Sequence, residues 1–261
     1  MTVRLRDVVS HLDTVLEIDR FRDYCPNGLQ VEGRQEVDRV VTGVTASLEL
    51  FERAAARRAD LIVVHHGLIW GSGLSSLTGP LARRVGFLFQ RGMSLAGYHL
   101  PLDAHPRLGN NAGLAEAIGA GAAGEVETFG DVRGHSLGVA VTLPEPTPRA
   151  DVLAAISKCV LGGAEPTFVF PHGPERVRRV GLCTGAASDL LEAASGAGCD
   201  LFITGELAER AGELARELQV TLVAAGHYAT EVFGPRRLAE ELQREFPNLE
   251  SAEFVDVPSP L

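Results

Sequence analysis

Lysine is nearly absent from this chain. Lys158 is the only one among 24 basic residues, and these face 34 acidic ones, so the formal charge is −10. No basic stripe offsets that charge, which argues against nucleic-acid binding, where Lys and Arg must meet phosphates. Cysteine is also scarce. Cys25, Cys159, Cys183 and Cys199 are scattered without a C-x-x-C, excluding a thiolate zinc site or a disulfide framework, and all four read as buried free thiols. No run of 18 apolar residues exists, so no membrane span is expected. The opening MTVRLRDVVSHLDTVLEI places Asp7, Asp13 and Glu17 where a signal peptide needs an apolar region. It reads as an amphipathic helix, and a cytoplasmic location is expected. Neither G-x-G-x-x-G nor G-x-x-x-x-G-K-[ST] follows a predicted strand, which argues against a dinucleotide-binding domain or a P-loop.

What is present is a rhythm. With 261 residues and 45% apolar content, the chain can bury one large core or two smaller ones. After an irregular segment, FRDYCPNGLQVEG, with a turn at Asn27-Gly28, strands and helices alternate: VDRVVTGVT, SLELFERAAARRA, DLIVVHH, GPLARRVGFLFQRG, MSLAGYH, NNAGLAEAIGA. Such alternation predicts βαβ units around mostly parallel sheets. Near residue 130 a strand, GHSLGVAVTLPEPTP, and the helix ADVLAAISKCVLGG interrupt it. Alternation resumes through VRRVGLCTG, ASDLLEAASGAG, CDLFITG, ELAERAGELARELQ, VTLVAAGH and EVFGPRRLAEELQREF, and ESAEFVDV closes the chain. The halves repeat faintly: Leu50 stands ten residues before Asp60, and Leu190 ten before Asp200.

Ligands of parallel sheets bind at the carboxyl ends of strands. Here four such ends read HHG, YHLPLDAH, TGE and GHYATE, offering His65, His66, His99, Asp103, His105, Glu206, His227 and Glu231. The near-continuous apolar run ADLIVVHHGLIWG is a buried strand ending in two histidines, with Gly67 letting the backbone turn. Neighbouring strand residues diverge, so adjacent histidines suit two ions better than one. Imidazole and carboxylate donors without thiolate fit Zn, Mn, Fe, Co or Ni. His227 and Glu231 share a face if a helix begins near Tyr228. Pro101 biases Leu100 towards extended backbone, so His99 and Asp103 are expected across a turn. Core histidines are the competing reading of all these positions.

In order, the segments NGLQVEG, VVHHGLIWG, HLPLDAHPRLGNNAGLA, DLFITGE and AAGHYATEVFG closely resemble the Nif-three-like dinuclear-metal family, also labelled type-two GTP cyclohydrolase I. The resemblance spans roughly residues 5 to 256. It implies two similar α/β domains with mostly parallel sheets: 1–128 plus 228–261, and an inserted 129–227, with the metal site in the cleft between them. It implies two divalent ions per chain on His65, His66, Asp103, His227 and Glu231, with His99 as an extra ligand or catalytic proton carrier. It further implies a homohexamer, a trimer of dimers, whose metal sites face an interior cavity. The family often has a second histidine after His227, where this chain has Tyr228.

The function expected is a metal-dependent hydrolase acting on a small anionic or nucleotide substrate, with ring opening at guanine C8 as the family label suggests. The alternatives are a two-metal phosphoesterase and a non-catalytic, hexameric metal-binding or regulatory protein. Glu206 reads equally as a helix-capping acid or as support for a ligand. His105 and Arg107 read as an exposed loop pair or an anion contact, and Asn110-Asn111 as helix caps. Residues 71–80 read as a mobile lid or a connector. Trp70 reads first as a core residue and second as a stacking partner for a base. His11, His135 and His172 belong to no constellation.

Overall fold

The computed structural model describes residues 2–71, 73, 76–120 and 126–259. Backbone proximity divides the chain into two units, Met1–Leu102 with Gly234–Val257, and Asp103–Phe233 with Pro258–Leu261.

The first unit opens with β1 (Val3–Arg4), α1 (Leu5–Val15), β2 (Gly28–Val31), β3 (Glu36–Val37), β4 (Arg39–Thr45), α2 (Leu48–Ala56), β5 (Leu61–His66), α3 (Gly79–Arg91) and β6 (Ser94–Gly97). Helix α1 is amphipathic as expected and buries Leu5, Val8 and Leu12. Ser47 caps α2 by accepting from the Leu50 N–H at 3.1 Å, and α2 then buries Leu50, Phe51 and Ala54 against the sheet. The second unit follows as α4 (Leu100–Ala104), which starts in the first, α5 (Asn110–Ala117), β7 (Val126–Val132), β8 (His135–Pro148), α6 (Arg149–Cys159), β9 (Phe168–Pro171), β10 (Arg176–Cys183), α7 (Leu191–Gly196), β11 (Leu201–Thr204), α8 (Ala211–Leu218), β12 (Thr221–Ala224) and α9 (His227–Thr230). Almost all of α10 (Phe233–Glu245), and β13 (Ser251–Phe254), belong to the first unit.

Each unit is an α/β layer structure with a parallel centre. In the first, the order is β13-β4-β5-β6-β2; the four strands from β13 to β6 run parallel, and β2 is antiparallel to β6. In the second, the order is β7-β8-β10-β11-β12-β9, with β10, β11 and β12 parallel and antiparallel strands outside them. Leu61 to Val64 are all 0% exposed, which accounts for their unbroken apolar run. Val180, Leu182, Ile203 and Val223 occupy the matching core of the second unit.

The internal repeat has a physical basis. Asp60 Oδ2 accepts from the Asp38 and Arg39 N–H groups at 2.9 and 3.0 Å, and Asp200 Oδ2 from those of Arg178 and Arg179 at 2.7 and 2.9 Å. Asp60, just before β5, holds the start of β4, and Asp200, just before β11, holds the third and fourth residues of β10, so the residue recurs where the geometry recurs.

Several local expectations are corrected. NGLQVEG is no mere turn: Gly28 starts strand β2, on the sheet edge. Leu100 is helical, because Pro101 falls in the first turn of α4, where a missing N–H costs nothing. Gly109, not Asn110, occupies the N-cap of α5. Helix α8 begins at Ala211, so Glu206 opens no helix. Cys159 is exposed, whereas the other three thiols are buried.

Candidate metal centre

In the first unit, β5 delivers His65 and His66 at its carboxyl end. Gly67 is needed for space rather than for turning: a Cβ there would stand 2.3 Å from the Gln30 amide. That amide oxygen accepts from the Leu68 N–H at 2.8 Å, holding the exit from the strand. His65 is fully buried, and its Nδ1 lies 3.0 Å from the Tyr98 carbonyl oxygen. A carbonyl only accepts, so Nδ1 is the donor in this pair. His66 Nδ1 stands 3.3 Å from Thr45 Oγ1. His99 Nδ1 stands 2.7 Å from Asp23 Oδ1, while the other Asp23 oxygen accepts from Asn27 Nδ2 and the Leu100 N–H, both at 2.9 Å. Burial pushes the Asp23 carboxyl up, but the hydrogen bond and charge of His99, with the Asn27 and Leu100 donors, hold it below its usual range. His65, His66 and His99 form one group whose ligating atoms lie within 4.8 Å of each other. Their ring centroids are 4.5 to 5.7 Å apart.

The second unit assembles carboxylates and a fourth histidine. Asp103, on α4, is buried, and its Oδ1 accepts from Asn110 Nδ2 at 2.9 Å and Thr184 Oγ1 at 3.2 Å. Asn111 donates to the Leu137 carbonyl and accepts from the Thr184 N–H, both at 2.9 Å, so the two asparagines brace this site while Gly109 takes the helix cap. Helix α9 puts His227 and Glu231 on one face, as their spacing predicts, with Nε2 to Oε2 at 3.1 Å. His227 Nδ1 reaches Glu206 Oε1 at 2.5 Å, which assigns Glu206 to supporting the imidazole. Burial works against a charged His227, yet Glu231 first and Glu206 second outweigh it and raise its pKa to about 9. Cys183 is a thiol in both name and state: burial, then the charges of Asp103 and Glu231, push its pKa far up. Gly185, at φ +68°, is required here, since a Cβ would stand 2.3 Å from Glu231 Oε1.

All four histidines therefore have Nδ1 engaged: by a carbonyl, a hydroxyl, and the carboxylates of Asp23 and Glu206. This is the arrangement that orients imidazole ligands, with a second residue fixing the tautomer and raising basicity. The donor set, imidazole nitrogen with buried carboxylate oxygen, fits a borderline divalent ion such as Zn, Mn, Fe, Co or Ni. His227 Nε2 and Glu231 Oε2 face each other at 3.1 Å, and a cation between them would satisfy both.

Other expectations resolve individually. His105 Nδ1 accepts from the Arg107 and Leu108 N–H groups at 3.1 and 2.9 Å, closing a local turn. His11 approaches Glu241 at 3.4 Å. Trp70 is no core residue, being 42% exposed. Of residues 71–80, Gly79 and Pro80 open α3, while Ser72, Leu74 and Ser75 lie outside the described residues. The residues that sequence reasoning missed are Asp23, Asn27, Gln30 and Thr184. Only the Asn27-Gly28 dipeptide drew notice among them, and it was read as a turn.

Fold and donors together define a two-unit α/β protein carrying histidine and carboxylate groups of the kind that bind metal. The model of the Duf34/NIF3 (NGG1p interacting factor 3) family matches residues 3–259, and the chain belongs to that family. A Pseudomonas aeruginosa relative named GTP cyclohydrolase 1 type 2 homolog is 40% identical over 260 residues, covering 100% of both chains. An Archaeoglobus fulgidus protein of the same name is 41% identical over 259 residues, covering 99% of this chain and 100% of the other. A solved structure described as protein ybgI, of unknown function, is 36% identical with a TM-score of 0.88, covering 99% of this chain and 100% of that one. Among the described residues, no helix is long and apolar enough to cross a membrane.

Proposed function

We propose that the chain is a metal-dependent hydrolase acting on a nucleotide, with His65, His66, Asp103, His227 and Glu231 holding two divalent ions and His99 carrying a proton. The observation that supports this most is the engagement of His65, His66, His99 and His227 through Nδ1, which leaves Nε2 as the atom to meet a ligand. Two ions held by these residues would supply Lewis acidity and lower the pKa of water there. The residues do the rest. Asp23 holds the His99 ring through Nδ1, so Nε2 is the atom that takes up and returns a proton. Glu206 does the same for His227, and Asn110 with Thr184 holds Asp103. The name of the relatives supports guanine C8 as the electrophile attacked, with a phosphoester as the rival target of the same ions. The same reading includes a homohexamer in the cytoplasm.

The test is metal content per chain by mass spectrometry, on protein prepared without chelator or affinity metal. We expect close to two divalent ions, falling in both His66→Ala and Glu231→Ala. No metal after reloading with Zn or Mn refutes the metalloenzyme reading. Loaded protein that leaves GTP and phosphoesters untouched favours a non-catalytic metal-binding role.

A further inference from the structure

We propose that Trp70 and Tyr24 form a stacking platform for a planar heteroaromatic ring, a purine base in the first instance, beside His99. This rests on the nucleotide reading given above and names the residues that would recognise the base.

Large aromatic side chains are normally withdrawn from water, since each buries 150–250 Å² at a gain. Among the described residues, Tyr24, Trp70, Phe89 and Phe168 stay exposed. Two of these four border one imidazole. The Trp70 ring centroid is 5.2 Å from that of His99 at 74°, and the Tyr24 centroid is 6.1 Å from it at 64°. Both rings thus stand steeply to the imidazole plane. Trp70 also lies 5.9 Å from His66.

Both residues are held in place, Trp70 through its ring and Tyr24 through its backbone. Trp70 Nε1 donates to the Gly67 carbonyl at 2.9 Å, on the segment that follows the histidine pair. The Gly71 N–H donates to the Tyr24 carbonyl at 2.7 Å, tying the two aromatic segments together. The Tyr24 N–H reaches Asp23 Oδ1 at 2.5 Å, so the carboxylate that orients His99 also places Tyr24. An aromatic face that is exposed, anchored and next to a proton-carrying histidine is matched by a flat π-system. A sugar phosphate or a bare polyphosphate has no π-face to stack on it, whereas base stacking tolerates any nucleobase.

Trp70 is the only tryptophan of the chain, so its emission reports this place alone. The full chain is titrated with guanosine, ribose 5-phosphate and inorganic triphosphate, in zinc-loaded and in chelator-treated form. We expect saturable quenching by guanosine and none by the other two. In Tyr24→Leu and Trp70→Leu, guanosine affinity read by equilibrium dialysis falls about tenfold. Trp70→Phe, which keeps an aromatic face, stays within a few-fold of wild type and serves if the leucine variant misfolds. Unchanged emission up to millimolar guanosine overturns the proposal. So does equal quenching by ribose 5-phosphate or triphosphate, or wild-type affinity in both leucine variants. Because the platform needs no ion, guanosine quenching in chelated protein stands even if metal analysis finds nothing, and the two readings fail separately.

Discussion

Gly185→Ala should damage the second unit twice over. Gly185 sits at φ +68°, where an L side chain costs about 1–2 kcal/mol. Its new Cβ would also stand 2.3 Å from Glu231 Oε1. Glu231 is 2% exposed and faces His227 Nε2 at 3.1 Å, so it has nowhere cheap to go. Pulling that buried carboxylate away from the imidazole costs about 1–3 kcal/mol more. Together the loss is roughly 2–5 kcal/mol, which lowers a melting temperature by about 10 °C in a protein of this size. Gly119→Ala is the control, since Gly119 has φ +77° and nothing within 4 Å of the added Cβ. It should cost about 1–2 kcal/mol through backbone strain alone. Melting is followed by circular dichroism on chelated protein, and metal content is measured separately. We expect Gly185→Ala to melt well below Gly119→Ala and to lose metal that Gly119→Ala retains. If the two variants melt together and bind metal alike, the close approach of Gly185 to Glu231 carries no energetic weight and the reasoning fails.

Two further predictions follow from the same contacts. Asp23→Asn removes a carboxylate whose folded pKa lies below its unfolded value, so its contribution to stability is present above the unfolded pKa of about 3.9 and fades as pH falls through the folded one. The melting difference from wild type should therefore be full at pH 7 and shrink below about pH 4; a difference that is flat with pH refutes the charge argument. Asp60→Ala and Asp200→Ala each remove the acceptor of two backbone N–H groups, at least one of them part-buried, and should each cost about 1–3 kcal/mol. Urea denaturation measures both, and a large loss from one with none from the other would break the equivalence of the repeats.

Local pattern alone determined a good deal of this protein. Unbroken apolar runs marked the buried parallel strands, the Leu-to-Asp spacing marked the repeat, and the four-residue step from His227 to Glu231 marked a shared helical face, because each signal is a period that the backbone imposes. The strand-end histidines were legible for the same reason, as polar residues that interrupt an apolar run. What only the tertiary structure decided were relations between residues far apart in the chain. Asp23 holds a histidine 76 residues away, Thr184 holds Asp103 across 81, and Glu206 holds His227 across 21. No periodicity encodes a hydrogen bond between distant loops, so Asp23 and Thr184 went unnoticed and Glu206 stayed ambiguous. Gly67 and Gly185 teach the same point. Their neighbours in sequence do not forbid a side chain; Gln30 and Glu231, brought close only by folding, do.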